Sequence, residues 1–310
     1  MMLRRSSLFV SLVAVTTGVS LGLACNEATT PGNAADGSTS DSASAPDEGI
    51  APRPDAGDAS EPVTDHQGNV FAVSESVTAP SAASNYRAGA FFAIGAKSTD
   101  DVVATTTFGT CVAETIKPRD GADGTDVSAG KLTISGGSKT IEITPKSDNT
   151  YTPSSSSAQT LFSGGEQLTA KVEGAGVPAF QTTLTAPSKL VVTAPLLAAD
   201  AGPDSTLDMT RASGLGITWT GTSSGTFVAY FATTSPNEVH TLTCRYAPSA
   251  GSAQIPKEAL ATLFAGEGFF DMYVEETSKP TVKDWAVSFT VTTNTNSATG
   301  AGMTGTARIK

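Results

Sequence analysis

The chain has 310 residues and a formal net charge of −11 at pH 7, and only 16% of its residues are charged. A uniformly acidic chain repels the phosphates of nucleic acids, so we exclude DNA and RNA as partners. The same negative charge argues against peripheral binding to anionic lipid headgroups. A sequence rich in threonine and glycine and poor in lysine suits β-strands with neutral outward faces.

The first 24 residues predict a secretory signal peptide. Arg4 and Arg5 form a positive start, and an uncharged, largely apolar run over residues 8–23 follows them. This run is too short to be read as a membrane-spanning helix. Ala24 then precedes Cys25, as in a lipobox, so we expect the exported chain to be acylated on Cys25 and held on a membrane by that lipid. The alternative is an ordinary signal-peptide cut, which the same small residues would satisfy.

Residues 25–68 are predicted to form a disordered acidic tether, with His66 inside it. Ala, Ser, Asp, Pro and Gly dominate this segment, and it contains no Phe, Trp or Tyr. Such a composition cannot bury enough apolar area to offset its ordering entropy. The chain resembles bacterial lipoproteins in general here. In these, a residue other than Asp after the cysteine, here Asn26, implies transit to the outer membrane, so we expect an envelope protein facing the periplasm or the surface.

From residue 70 onward, the apolar pattern has a period of two, which predicts strands. The predicted strands cover residues 70–73, 89–94, 102–112, 131–134, 140–143, 167–172, 180–184, 189–193, 215–219, 227–231, 240–246, 269–274 and 285–292. Their spacing predicts a mainly β fold of antiparallel, immunoglobulin-like β-sandwiches. A Gly- and Pro-containing stretch near residues 198–205 favours two sandwich domains, 69–200 and 201–310, with one large sandwich as the alternative.

One short helix is predicted near residues 257–265. Pro256 is suited to its start, and Glu258 lies in the first turn. Apolar residues at 259, 260, 263 and 264 would form one face. Gly266 is well placed to end the helix.

Two cysteines remain once Cys25 is acylated, namely Cys111 and Cys244. An even number in an exported chain permits one disulfide. A bridge between them would close a long loop and join the two halves of the chain. Two separately buried thiols are the alternative, because the sequence does not show whether the side chains meet.

Several short segments together carry a resemblance to a group of proteins. They are the tether motif Asp-Ala-Gly-Asp-Ala at 55–59, Ser-Ala-Gly-Lys-Leu-Thr-Ile at 128–134, Pro-Ala-Phe at 178–180, Ala-Pro at 186–187, Ile-Thr-Trp at 217–219, Leu-Thr-Cys at 242–244 and Ile-Pro at 255–256. With these segments the chain resembles uncharacterised myxobacterial-type secreted lipoproteins over about residues 85–295. The resemblance implies a β-rich lipoprotein and supplies no catalytic residue.

A hydrolase-type motif, G-x-S-x-G, occurs around Ser223. In a hydrolase, this motif needs a helix after it, whereas residues 226–231 are strand-like, so we interpret it as a hairpin turn. His240 is the sole downstream histidine, and Glu238 is the nearest acid before it. A triad confined to adjacent strands is implausible, and we expect no catalytic residue. His240 is interpreted as an exposed strand residue, and an isolated histidine argues against zinc binding.

Two sets of residues could bind a ligand, although a simpler interpretation is favoured for each. Asp120, Asp123 and Asp126 recur in a Gly-rich loop and could supply oxygen ligands to Ca²⁺, although a solvated acidic turn is the default. No other cofactor is expected. Four aromatic residues could form a sugar-stacking platform, although core packing is favoured, above all for the tryptophans. They are Trp219, Trp285, Tyr230 and Tyr273.

The sequence therefore favours a lipid-anchored, non-enzymatic envelope protein with an adhesive, scaffolding or ligand-binding role. Its membrane contact would be the lipid on Cys25, and a protein or a glycan could be its partner. The alternative function is an exported hydrolase acting on glycans or other envelope material, which would need paired carboxylates in a cleft.

Overall fold

The computed structural model describes residues 65–77, 82–95, 100–118, 124–197 and 205–310. The described residues form a mainly β fold with several sheets and one short α-helix, which confirms the predicted β-rich class. Cys25 and most of the predicted tether lie outside these residues. The tether prediction extends too far at its end, because His66 to Gly68 already belong to the first strand.

Strands follow one another along the whole described chain. Residues 65–118 contain β1 (His66–Val77), β2 (Ala83–Ile94), β3 (Asp100–Phe108) and β4 (Cys111–Pro118). Residues 124–197 contain β5 (Thr125–Asp126), β6 (Leu132–Ser135), β7 (Ile141–Ile143), β8 (Ser154–Ser156), β9 (Gln167–Val172), β10 (Phe180–Thr185) and β11 (Val191–Ala194). Residues 205–310 contain β12 (Ser205–Met209), β13 (Leu215–Thr220), β14 (Thr226–Thr234), β15 (Val239–Tyr246), β16 (Ser252–Ile255), α1 (Lys257–Leu260), β17 (Gly266–Ser278), β18 (Thr281–Val282), β19 (Trp285–Asn294), β20 (Asn296–Ser297) and β21 (Thr304–Ile309). Single 3₁₀ turns lie at Arg211–Ser213 and Pro248–Ala250.

One large sheet of 13 strands organises the molecule. Its main path runs β3-β4-β15-β14-β17-β19-β1-β2-β5. Strands β8, β18 and β21 pair with members of this path, and β12 pairs with β21. Two sheets of four strands accompany it, one in the order β10-β9-β6-β7 and the other in the order β16-β13-β11-β20.

Each small sheet shares a hydrophobic core with part of the large sheet. The first core joins residues of β1, β2 and β19 to residues of β6, β7, β9 and β10. The second core joins residues of β14, β15, β17 and β21 to residues of β11, β13 and β16. Phe289 in the first core and Phe231 in the second are both fully buried.

Both cores lie on the same face of the large sheet. Val274 of β17 belongs to the second core and is opposite Thr293 of β19. Val291 and Phe289 of the first core precede Thr293 on β19 by two and four residues. Directly opposed residues, and every second residue of a strand, share a face. The other face of the large sheet therefore lies away from both cores, and we call it the open face.

The period-two pattern identified the strands well where turn chemistry was clear. The predicted hairpin at 131–143 is present as β6 and β7, which pair antiparallel. Gly136 lies in its turn with φ of 98°, and a Cβ at this position would collide with the Gln167 carbonyl oxygen. The single strand predicted over 102–112 is wrong, because a turn at Gly109, with φ of 61°, divides it into β3 and β4.

The predicted boundary between residues 200 and 201 does not divide the large sheet. Strand β1 from the first predicted domain pairs with β19 from the second, and β4 pairs with β15. The described residues, from 65 to 310, form one compact unit that contains both cores. The antiparallel prediction also needs correction, because β1–β19, β12–β21 and β11–β20 are parallel pairs.

The predicted helix is present but shorter than expected. Helix α1 ends at Leu260, and the chain continues as turns in which the Leu263 N–H donates to the Leu260 carbonyl at 3.2 Å. Ala259, Leu260 and Leu263 are buried in the second core, as the apolar face requires. Phe264, predicted on the same face, instead contacts the His240 ring, with 4.1 Å between the ring centroids.

Candidate functional site

The open face carries a group of polar and aromatic side chains at the centre of the large sheet. Along β17, Phe270, Met272 and Val274 enter the second core. The alternate residues Phe269, Asp271 and Tyr273 therefore point to the open face. The strand is held on both sides, by β14 and by β21 and β19, so its side chains stand on a fixed backbone.

Asp271 lies at the centre of this group. It is opposite Tyr230 on β14 and opposite Thr304 on β21. The Tyr230 and Phe269 rings lie 6.3 Å apart between centroids at an interplanar angle of 59°. Tyr230 is 9% exposed, whereas Phe269 is 43% exposed. We call Phe269, Asp271, Tyr273, Tyr230 and Thr304 the Asp271 patch.

Burial and neighbouring charge shift the titration of the patch. Burial, together with the Glu75 carboxylate, raises the pKa of Asp271 from 3.8 to about 7, and a hydrogen bond from Thr304 opposes this shift. Burial and the acids Glu114 and Asp271 raise the pKa of Tyr230 to about 12. Burial also raises the pKa of Tyr273, so both phenols stay protonated in the physiological range.

An ion pair borders the patch on the same face. The Arg245 Nη2 atom lies 3.4 Å from Oε1 of Glu275, which is two residues after Tyr273 on β17. Burial raises the pKa of Glu275, and the Arg245 charge opposes that effect. The charged form of Glu275 is therefore stabilised by the Arg245 cation. The charged form of the neighbouring Asp271 is stabilised by hydrogen bonds alone.

This arrangement combines the groups that bind neutral polar ligands. Aromatic rings offer flat apolar surface, and the phenol hydroxyls can donate or accept hydrogen bonds. A carboxyl group with a pKa near 7 can donate when protonated and accept when ionised. The patch can therefore contact a ligand that presents both hydroxyl groups and apolar ring faces.

Replacing Asp271 by asparagine is expected to change how stability depends on pH. The folded pKa lies above the unfolded value, so the folded state holds an extra proton between about pH 4 and pH 7. Stability therefore falls as pH rises through this window and stays low above it. Asp271→Asn should stabilise the protein at pH 8 by roughly 1–2 kcal/mol, a value reduced for partial solvent screening, with little effect at pH 4. Urea unfolding at both pH values measures this.

Asp284→Asn is the matched control for that substitution. The Asp284 side chain is 75% exposed, so removing its charge should alter stability little at either pH. Equal effects of Asp271→Asn at pH 4 and pH 8 would show that the Asp271 carboxyl has an ordinary titration. Destabilisation at pH 8 would show that its charged form is favoured by the fold.

The two cysteines singled out from the sequence lie directly opposite each other on β4 and β15. A disulfide joins Cys111 and Cys244, with an S–S distance of 2.09 Å across a sequence separation of 133 residues. Both residues are fully buried in the second core. The bridge therefore fastens the β3–β4 hairpin to the remainder of the large sheet.

The proposed calcium ligands are not brought together in the described part of the chain. Asp120 and Asp123 lie outside it. Asp126 ends β5, is exposed, and accepts a hydrogen bond from the Asn149 amide on its carbonyl oxygen at 3.1 Å. Within the described ranges, no group of three or more His, Cys, Asp or Glu residues is arranged to hold a metal ion.

Ser223 lies in a connection between two sheets. Strand β13 belongs to a small sheet and β14 to the large one, so the predicted hairpin is wrong. The Ser223 hydroxyl donates to the Ser224 carbonyl and accepts from the Ser188 N–H, each at 2.8 Å. A strand follows it, as predicted, where a nucleophile elbow needs a helix.

His240 is not positioned to activate Ser223. It lies opposite Thr233, seven residues along β14 from Thr226, which is about 23 Å at the usual rise per residue. Its Nδ1 atom is 2.5 Å from the Thr262 carbonyl oxygen, and its Nε2 atom is 3.4 Å from Oε2 of Glu238. The side chain is 19% exposed, so the prediction of an exposed strand residue is wrong.

The predicted aromatic platform is divided between two faces. Trp219 is buried in the second core and Trp285 in the first, as core packing requires. Tyr230 and Tyr273 instead belong to the Asp271 patch. His66, assigned to the tether from sequence, lies 5.1 Å from the Trp285 ring between centroids.

Two surface depressions are lined by residues outside the Asp271 patch. One of about 350 Å³ lies between β3, β4 and the turn after α1, and its lining includes Thr106, Glu114 and His240. The other, of about 620 Å³, is lined by Arg211, Lys257 and Lys310 among others. Neither depression includes a residue of the patch, in which Phe269 alone is exposed and the other side chains are buried or half-buried.

No family model, curated protein or solved structure matches this chain. Of the helices in the described ranges, none has the length and apolar character needed to cross a bilayer.

Proposed function

We propose that this protein is a lipid-anchored, non-enzymatic protein of the bacterial envelope that binds a ligand or partner on the open face of its large sheet. The observation that carries the binding role is the Asp271 patch. Exposed Phe269, half-buried Tyr273 and a carboxyl group of raised pKa lie side by side on a fixed strand. An adhesive or scaffolding role would use the same surface.

The envelope location is supported by the sequence. A charged start, an apolar run and Ala24 before Cys25 favour export and acylation, and Asn26 favours the outer membrane by resemblance to bacterial lipoproteins. The resemblance to myxobacterial-type secreted lipoproteins points the same way. The Cys111–Cys244 disulfide suits an oxidising compartment outside the cytoplasm.

Immunoglobulin-like sandwiches are part of the same proposal. Each core lies between a small sheet and part of the large sheet, which is the layering of a sandwich. The two sandwiches would share the large sheet instead of following one another as separate domains. The three parallel pairs depart from the antiparallel immunoglobulin pattern.

A glycan is the ligand class that the Asp271 patch fits best. Replacing Tyr273 by alanine removes a ring and a hydroxyl from the patch, and is expected to weaken binding to purified cell-envelope polysaccharide roughly 3- to 10-fold. Thr277→Ala is the matched control, because Thr277 lies on the same face of β17 beyond the patch. Calorimetric titration measures the affinities. Equal affinity of the Tyr273 variant and wild type would contradict the proposed surface.

A hydrolase is the second candidate function, favoured by one observation. Asp271 has a pKa of about 7 and a neighbouring acid, Glu75, which resembles the acid pair of a glycosidase. Against it, neither of the two depressions described above contains these residues. Release of reducing ends from the same polysaccharide, abolished in Asp271→Asn, would favour the hydrolase over the binding protein.

Acylation of Cys25 is expected in cells given labelled palmitate. Cys25→Ser should abolish the label and move the protein from the membrane fraction to the soluble fraction, because the lipid supplies the membrane affinity. Thr277→Ala serves again as a control, and it should retain the label and remain in the membrane fraction. Equal label in Cys25→Ser and wild type, or none in wild type, would contradict the anchored assignment.

A further inference from the structure

Strand β3 forms one end of the large sheet. Among the described residues it pairs with β4 alone, so its outer edge meets no other strand. The other end of the main path is β5, which has two residues. The nine-residue β3 is therefore the longer of these two ends, and a long edge strand is a template for pairing with another chain.

Most of the edge lacks the devices that usually block such pairing, since the two charged residues of β3, Asp100 and Asp101, both lie at its start. Residues 102–107 are all exposed, and Val102 and Val103 are each 49% exposed. This stretch contains no lysine, no proline and no charged residue, and five of its six residues are the β-branched Val or Thr. A register shift between Val102 and Ala104 is confined to its start, and Ala104–Phe108 continue in regular register with β4.

We propose that β3 pairs antiparallel with β3 of a second copy of this chain, which joins two large sheets into one continuous sheet. Pairing of a strand with itself is isologous, so one two-fold axis closes the dimer. With the axis at Thr105, that threonine is opposite the same residue of the second copy, and Thr106 is opposite Ala104 within the regular part of the strand. The Thr105 pair is a favourable cross-strand pair.

Charge directs a second copy to this edge rather than to another part of the surface. Two chains of net charge −11 repel each other over most of their surface. The uncharged stretch 102–107 allows close approach without placing like charges opposite each other. The chain's own residues 26–64 are less suited, because they are rich in Pro and Asp and lack a β-branched run.

Sedimentation of the full chain carrying Cys25→Ser, which removes association through lipid, tests the proposal over ~1 to ~100 µM. The mass should rise with concentration to twice the 31.3 kDa chain mass, and salt should strengthen the dimer by screening the net charge. Thr105→Lys should raise the dissociation constant at least about tenfold, because it puts like charges opposite each other across the axis.

Thr277→Lys is the matched control, since it adds the same charge at an exposed threonine of an interior strand and should leave the dimer unchanged. Thr107→Lys supplies a second edge variant if Thr105→Lys fails to fold by circular dichroism. A wild type that stays monomeric over the whole range would overturn the proposal. A dimer equally stable in a folded edge variant would overturn it too, since association would then use another surface.

Discussion

Replacing Phe231 by alanine is expected to destabilise the protein by about 3–5 kcal/mol, the usual cost of removing a buried phenylalanine. Phe231 is fully buried on β14, between Leu242 on β15 and Phe270 on β17, which are buried as well. Because β14, β15 and β17 are paired around this position, the cavity that the substitution leaves cannot readily collapse. Urea unfolding followed by tryptophan fluorescence measures the loss.

Phe269→Ala is the control for this prediction. Phe269 is the neighbour of Phe270 on β17 but points to the open face and is 43% exposed, so its removal should cost less than about 1 kcal/mol. Similar losses of stability for Phe231→Ala and Phe269→Ala would contradict the assignment of Phe231 to the core and of Phe269 to the open face. Trp219 and Trp285 lie in different cores, and a single transition seen by both would agree with one compact unit.

Removing the disulfide is expected to cost about 2–5 kcal/mol, the range measured for native bridges. The bond joins β4 to β15 and closes a loop of 133 residues, so its loss frees the unfolded chain considerably. The double variant Cys111→Ser, Cys244→Ser should unfold at lower urea than wild type. In the presence of reductant, the urea midpoint of wild type should fall to a value similar to that of the double variant.

The double variant itself is the control, because its midpoint should not respond to reductant. Thiol titration of the denatured, unreduced wild type gives the decisive complement. Two reactive thiols from Cys111 and Cys244 would contradict the bridge. A double variant as stable as wild type would instead show that the bridge contributes little to the folded state.

Local patterns in the sequence were enough to predict most of the strands, because the period-two alternation is a local property. Along β19, for example, Trp285, Val287 and Phe289 alternate with more exposed residues. The β6–β7 hairpin was predictable since Gly136 marks its turn. The turn at Gly109 was missed because β-prone residues continue on both sides of it.

The sheet order could not be predicted in the same way. Alternation shows which residues share a face but not which strand lies beside which, so the parallel pairing of β1 with the distant β19 left no local signal. The predicted division into two domains at residues 200 and 201 was wrong for the same reason. The Asp271 patch was missed likewise: Phe269, Asp271 and Tyr273 alternate visibly in the sequence, but their meeting with Tyr230 and Thr304 depends on strand order.

The most direct test of the central claim, a membrane-anchored protein that presents the open face of its large sheet, is cysteine labelling on β17 in isolated envelopes. Phe269→Cys lies on the open face and Met272→Cys in the second core. A soluble maleimide should label Phe269→Cys at once in the membrane fraction, and Met272→Cys only after unfolding. Equal labelling of both variants, or recovery of the protein in the soluble fraction, would contradict the account.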